Sequence, residues 1–573
     1  MEMEKKNLAI IILAVVLGVS GVGNIILGTM ITVPAPARGN TIIAGDMYGP
    51  DNLDIHELWE SAGYDIVSQI YEGIYRYDIA SPGLELIPQL AVDFGTWELN
   101  ATNPENAIAN CTIELRDDVT FHDGTPFNAA AVKWSFDRLA YWMNITGTLP
   151  LPETVAQIES LYRWPDWTPV INTTEVISEY VIKFVLNRPY GVFDAILTFN
   201  AAWIMAPSTG LETTRIQVSQ AVGPGGNGHE IIGTGPFIFQ SYTAGVETRM
   251  KRNDDYYLTP TAVDGIVINI IQDPDARNNA MLAGDINLLE APHPSFYDEM
   301  RTSDAVNLVE VDSPASSVTQ YLGFNNVLIN RTWRQAMSWA IDYDYMIDEL
   351  LEGYALRLES AIPMGIAFAN YSSQHAILNL TKARSIMNTM GLGIGFTTDS
   401  QWQAATFRSV NFTYNLGNKF REDMLVLLQQ NLDLIGITVT DNGKEWTPYL
   451  DLVYNRTAPG YNGLELWFIG WMPDYNDASN YVNSLMSNVS SGNAAQINDL
   501  ELEPMLRAGI AETNATKRAV IYNEMQKYLC EDLMPWAWGY SSLNRDAFAP
   551  NLKGFPTNPW GYSYFYPCYF VVT

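Results

Sequence analysis

The sequence predicts an α/β protein divided into two or three lobes, and three observations carry this. The chain has 573 residues, 47% of them hydrophobic, too long for a single core, since cores stop growing near about 250–300 residues. Residues 111–139 read as strand, turn and helix: Thr112, Glu114 and Arg116 alternate with Ile113 and Leu115, Asp123-Gly124 marks a turn, and Asn128 offers a helix N-cap. Comparable units recur, with a strand at 180–186, a strand–helix–strand run at 267–290, and a helix–strand unit ending in Gly436-Ile437-Thr438-Val439.

Composition narrows the class of function. Only 17% of residues are charged, while aromatics reach 12% with 16 Trp and 31 Tyr, so uncharged polar groups cover much of the surface. The 64 acidic and 32 basic residues give a net charge of −32. Such a surface repels phosphate backbones, which excludes nucleic acid as a partner. No acidic run is concentrated enough to form a cation site, and the acidity reads as solubility outside the cell.

Residues 8–31 carry no charged side chain and are long enough to cross a bilayer with some tilt. Lys5 and Lys6 precede them, which keeps the N-terminus cytoplasmic and sends the rest outward. A cleaved signal peptide competes with a retained anchor, with Ala35-Pro36-Ala37 as a small-residue cleavage site. Its apolar region is normally shorter, about 7–15 residues, so the length favours the anchor. No Cys follows the apolar run, which excludes a bacterial-type lipoprotein anchor. Export is also consistent with the Asn-X-Ser/Thr sequons at Asn100, Asn110, Asn144, Asn172, Asn330, Asn370, Asn379, Asn411, Asn455, Asn488 and Asn514, candidate glycan sites if they lie on exposed loops. The three cysteines, Cys111, Cys530 and Cys568, cannot form a complete disulfide framework. Cys530 with Cys568 is the pair to test against three buried free thiols.

Several motifs then occur in order. Tyr71-Glu72-Gly73 ends a helix-like run, Ile87-Pro88-Gln89-Leu90-Ala91 comes next, and Phe121-His122-Asp123-Gly124 closes the strand described above. His122 in that turn reads as structural. Further on come Gly233-Thr234-Gly235-Pro236-Phe237, the stretch 253–257, Ala280-Met281-Leu282-Ala283-Gly284-Asp285-Ile286, the helix 334–342 and FIGWMPDYNDASN at 468–480. Taken together, from about Thr41 to the C-terminus, the chain resembles the family-5 extracellular solute-binding proteins, the peptide-, nickel- and oligosaccharide-capturing subunits of ABC importers.

The resemblance implies a periplasmic-binding-protein-like clamshell of type II: two α/β lobes with mixed sheets, an inserted third domain, and closure around a ligand by a hinge. On this sequence it divides the chain into a signal or anchor segment at 1–33, a linker at 34–40, lobe I at 41–75 with 206–314 and 541–573, an inserted domain at 76–205, and lobe II at 315–540. It also implies roles in the tryptophan–aspartate motif. Asp474 matches the residue that pairs with a peptide's α-ammonium group, and Gly470, Trp471 and Met472 match backbone that pairs with the extended ligand. For Asp474 the competing reading is a turn or cap residue before the next helix, and for Trp471 it is core packing. Trp59 and Trp467 are further candidates, as aromatic faces for peptide side chains or sugar rings.

No catalytic arrangement is visible. The five histidines have no partner at metal-ligand spacing, Asp474–Asp477 lacks the glycine and distal Glu of a calcium loop, and no Gly-x-Ser-x-Gly elbow occurs. No cofactor is implied. The expected function is an extracellular receptor that delivers peptides to ABC permease subunits. An oligosaccharide receptor on the same scaffold is the first alternative, and a surface-assembly protein with a filled cleft is the second.

Overall fold

The strand–turn–helix segment forms as its residues dictate. In a computed structural model of the chain, which describes residues 39–79, 81, 84–99, 109–145, 157–164, 167–312, 315–455, 460–512 and 514–571, strand Ala109–Glu114 buries Cys111 and Ile113 on one face. Gly124 takes a left-handed φ of 81° at the turn, which costs a residue without Cβ nothing. Helix Ala129–Trp142 starts where the Asn128 side chain accepts from the backbone of Ala130 (3.0 Å) and Ala131 (3.1 Å). His122 clamps this turn to the glycine-rich one: its Nε2–H donates to Gly235 O at 2.9 Å, and its Nδ1 accepts from the Gly233 N–H at 3.3 Å. Burial pushes its pKa down to about 4, so the ring is neutral.

Three larger sheets organise the molecule. A seven-stranded mixed sheet runs in the order Phe237–Thr243, Glu247–Arg252, Gly265–Ile270, Thr41–Asp46, Leu288–Glu290, Asn544–Phe548, Asn307–Val311. Its centre is parallel, Ile42 lying opposite Ile266. A six-stranded mixed sheet runs Ala355–Arg357, Trp536–Ser542, Thr319–Phe324, Leu466–Trp471, Arg408–Asn415, Ile437–Lys444. A four-stranded antiparallel sheet runs Thr96–Leu99, Ala109–Glu114, Val181–Leu186, Ile171–Ser178. The first two sheets are the floors of two lobes. The chain passes from the first lobe to the second between strands 307–311 and 319–324, and returns between strands 536–542 and 544–548.

The four-stranded layer shares one continuous apolar core with the first lobe, while the second lobe buries its residues on the two faces of the six-stranded sheet. The join between the first two contains a buried ion pair. The Arg138 guanidinium, on helix Ala129–Trp142, grips Asp54 at 2.5 and 2.8 Å, and both side chains are 0% exposed. Arg138 also donates to the carbonyls of Leu211 and Thr214 and to Nδ1 of His56, so its remaining N–H groups are not left unpaired. Burial works against the Asp54 charge, but the neighbouring guanidinium wins and holds its pKa at about 2.

Several expectations are decided at this level. Residues 40–573 form one compact unit. The expected anchor at 8–31 and residues 34–38 of the expected linker lie outside the described residues, and among the described residues no helix is long and apolar enough to cross a membrane. Cys111, Cys530 and Cys568 are all free and buried, so the Cys530–Cys568 pairing is not formed. Among the sequons, Asn172, Asn330, Asn379, Asn411, Asn488 and Asn514 are exposed, and Asn110, Asn370 and Asn455 are half-buried. Asn330, Asn379 and Asn514 sit at helix N-caps rather than in loops, each accepting a backbone N–H through its side chain. Asn144 departs from the expectation: it is buried, with φ 51°, just past the C-terminus of helix Ala129–Trp142. Asn is favoured there because it tolerates the left-handed turn. Asn100 lies outside the described residues.

Candidate functional site

Strand Leu466–Trp471 positions the site. It pairs antiparallel with Thr319–Phe324 along its whole length, Gly470 opposite Gln320. On its other edge the parallel pairing with Arg408–Asn415 covers only Leu466 and Trp467. Past that point the Phe468 carbonyl takes a hydroxyl from Tyr449 at 2.7 Å, and among the described residues no strand pairs with the edge at 469–471. A Cβ at Gly470 would stand 2.4 Å from Nε2 at the flexible end of the Gln320 side chain, which would have to turn aside to admit it. Pro473 then ends the run, since it has no N–H to donate.

Asp474 comes next, 3% exposed. Its oxygens are held by two donors on different elements: Trp59 Nε1–H reaches Oδ1 at 2.7 Å, and Asn480 Nδ2–H reaches Oδ2 at 2.7 Å. Asn480 organises the loop. Its Oδ1 accepts from Trp471 Nε1 and from the Asp474 backbone N–H, both at 3.0 Å. These groups can only donate, which fixes the amide orientation. Burial outweighs these bonds and lifts the Asp474 pKa to about 7. The cap of the following helix, Ala478–Met486, is Asp477, ion-paired with Arg518. The helix-cap reading therefore belongs to that residue.

The loop lies at the seam of the lobes. Trp59 packs edge-on against Trp471, with ring centroids 5.1 Å apart. The Pro473 carbonyl accepts from Trp560 Nε1 (2.6 Å) and the Tyr562 hydroxyl (2.8 Å). Tyr48, beside the strand Thr41–Asp46, stacks on Trp446 with centroids 4.1 Å apart. Between the lobes is a cavity with about 1230 Å³ of empty space including its mouth, and Trp59, Gly470, Trp471, Met472 and Asp474 all line it. Trp467 does not. It is 0% exposed, its ring packed over Gly323, whose missing Cβ leaves it room.

Other lining residues carry chemistry that sequence motifs did not single out. Arg421 is the one guanidinium of the cavity wall, is buried, and makes no ion pair among the described residues; its Nη1 donates to Asn415. Trp446 Nε1 is a buried donor without a partner in the same wall. Asn480 stands at the end of the tryptophan–aspartate motif, so its presence was visible but its role was not. Arg421 sits in the first turn of helix Lys419–Asp433, where nothing local marks it. An adjoining chamber shares Met47, Ala291, Val318, Gln320 and Gly561 with the first and is lined by Asp46, Asp65, Glu290 and Asp546. Burial raises all four of these carboxyls, Asp65 to about 8 and Asp546 to about 6. Among the described residues no group of His, Cys, Asp and Glu is arranged to hold a metal ion.

The chain is 25% identical over 548 residues to heme-binding protein A of Haemophilus influenzae, covering 92% of each chain. It is 24% identical over 554 residues to the dipeptide-binding protein of Escherichia coli, covering 93% of this chain and 95% of that one. Among solved structures, a periplasmic binding protein of Helicobacter pylori in complex with the peptide STSA superposes with a TM-score of 0.77 at 20% identity, covering 92% of this chain and 98% of that one. The oligopeptide-binding protein of Bacillus subtilis in complex with a nonapeptide gives 0.76 at 19% identity, covering 93% and 99%. The profile of the bacterial extracellular solute-binding proteins, family 5, matches residues 86–493, more than half of the chain, and the chain belongs to that family.

Proposed function

We propose that this chain is an extracellular receptor that captures peptides between its lobes and hands them to ABC permease subunits. One observation carries the reading: a buried carboxylate, Asp474, lines the interlobe cavity beside a strand edge that no other strand among the described residues pairs with. A carboxylate there can take a peptide's α-ammonium group through a charge-assisted bond, and the open edge at 469–472 can add the peptide as a strand. The opposite charge is present too. Arg421 and Trp446 Nε1 offer donors for the peptide's carboxylate or carbonyls. The ionisation of Asp474 is held near neutrality by burial, so an arriving ammonium strengthens the charge it binds.

In this reading the molecule is a hinged type II clamshell with 76–205 as an inserted third domain, tethered by residues 8–31, and it performs no chemistry on its ligand. The oligosaccharide alternative would use the aromatic wall, where the stack of Tyr48 on Trp446 leaves only one face of each of these two rings for a sugar. The surface-assembly alternative requires a filled cleft, whereas a cavity remains between the lobes. Native mass spectrometry of the purified full-length chain tests the proposal. Co-purifying peptide masses are expected; a hexose ladder would replace the reading with the oligosaccharide one.

A further inference from the structure

The cavity wall holds two buried acceptor atoms that the fold leaves without a partner. Glu60 caps helix Ser61–Val67 through Oε1, which accepts from Gly63 N–H at 2.7 Å and Asp51 N–H at 3.3 Å. Its Oε2 is buried without a partner, and the residue lines the cavity. Asn200 is 0% exposed and lines the same cavity. Its Nδ2 donates to the carbonyls of Ile55 (2.8 Å) and Leu58 (3.1 Å), which fixes the amide, and its Oδ1 has no partner. Buried polar atoms are nearly always paired, and an orphan costs about 1–3 kcal/mol. Two orphan acceptors among the residues that line one cavity, one of them on a carboxyl group, suit a ligand group that only donates and carries positive charge.

We infer that Glu60 and Asn200 form a side-chain subsite for an ammonium or guanidinium, so that the receptor prefers peptides with a lysine- or arginine-type residue. This rests on the reading of the cleft as a peptide site and adds the ligand's class to it. Leu58, Trp59 and Phe199 line the approach and can cover the alkyl stem of such a side chain while its head meets the acceptors. Burial, helped by Asp51, raises the Glu60 carboxyl to about 8, and a cation beside it restores the charged form. Arg421 lines the same cavity but forms no ion pair with Glu60, so no cation of the protein already occupies this carboxyl group.

Titration calorimetry on the full-length chain decides it, with the dipeptide pairs Lys-Ala against norleucine-Ala and Ala-Lys against Ala-norleucine. A charge-assisted bond predicts that in at least one pair the lysine form binds about ten- to a hundredfold tighter. Glu60→Gln, which keeps an acceptor for the helix cap, brings that ratio to near one. Equal affinities within both pairs overturn the subsite and leave the peptide reading standing. A lysine preference that survives Glu60→Gln overturns the assignment to Glu60. Binding of none of the four peptides overturns both.

Discussion

Replacing Asp474 by Asn removes one charge and changes little else in shape, and the geometry around it sets the consequences. Trp59 and Asn480 donate to different oxygens of Asp474. An Asn at this position has one oxygen, so its amide must face one of two donors. Asn480 cannot turn to help, because Trp471 Nε1 and the Asp474 N–H hold its Oδ1. The lost bond costs about 1–3 kcal/mol. An opposing contribution depends on pH. The folded pKa is raised to about 7 from 3.8, so the carboxyl's contribution to stability is complete below 3.8 and is lost as pH rises through 7. At about 1.36 kcal/mol per pH unit this comes to about 4 kcal/mol. Asp474→Asn does not titrate. It is therefore less stable than the parent near pH 4, and the difference vanishes or reverses by about pH 8. Peptide binding falls about 10- to 150-fold through the lost charge-assisted bond, while N-acetylated peptides, which have no ammonium to lose, bind both forms alike. Thermal unfolding across pH and calorimetry with free and acetylated dipeptides measure both effects. Parallel stability curves, or unaltered affinity for the free-amine peptide, would refute the reasoning.

Three other substitutions probe the remaining contacts. Trp59→Phe keeps an aromatic ring, though a smaller one, and removes the Nε1–H that stabilises the Asp474 charge; the acid limb of the affinity–pH profile should move to higher pH, and an unmoved limb contradicts the bond. Arg421→Met should weaken free-carboxylate peptides about tenfold or more and leave C-terminally amidated ones nearly unaffected; equal losses for both would place Arg421 in the scaffold instead. Arg138→Met strands the buried Asp54 carboxylate and should cost about 3–5 kcal/mol in urea denaturation; a loss under about 1 kcal/mol would show that this pair contributes little.

What could be read from the chain depends on how local each signal is. The Asn128 cap, the Gly124 turn and the strand before them depend on neighbours within a few residues, and they form as expected. The tryptophan–aspartate motif was legible as a string. Which of its tryptophans faces the cavity was not. Trp467, Ile469 and Trp471 share one face of the strand, and alternation gives the face but not the depth at which each residue meets Gly323 or the interlobe gap. The sequon at Asn144 matches a motif whose residue is claimed by a helix terminus. The groups that complete the cavity could not be found from local pattern at all. Glu60, Asn200 and Arg421 come from three distant segments, and the Arg138–Asp54 pair spans 84 positions. Only the packing of the lobes brings them together.

The central claim is that the cleft holds a peptide by its amine at Asp474. A crystal structure of the chain with a bound free-amine peptide tests it directly. The account predicts the ammonium nitrogen about 2.7–2.9 Å from an Asp474 oxygen, with the peptide backbone running along residues 469–472. A ligand bound outside the interlobe cavity, or inside it with its amine turned away from Asp474, would contradict it.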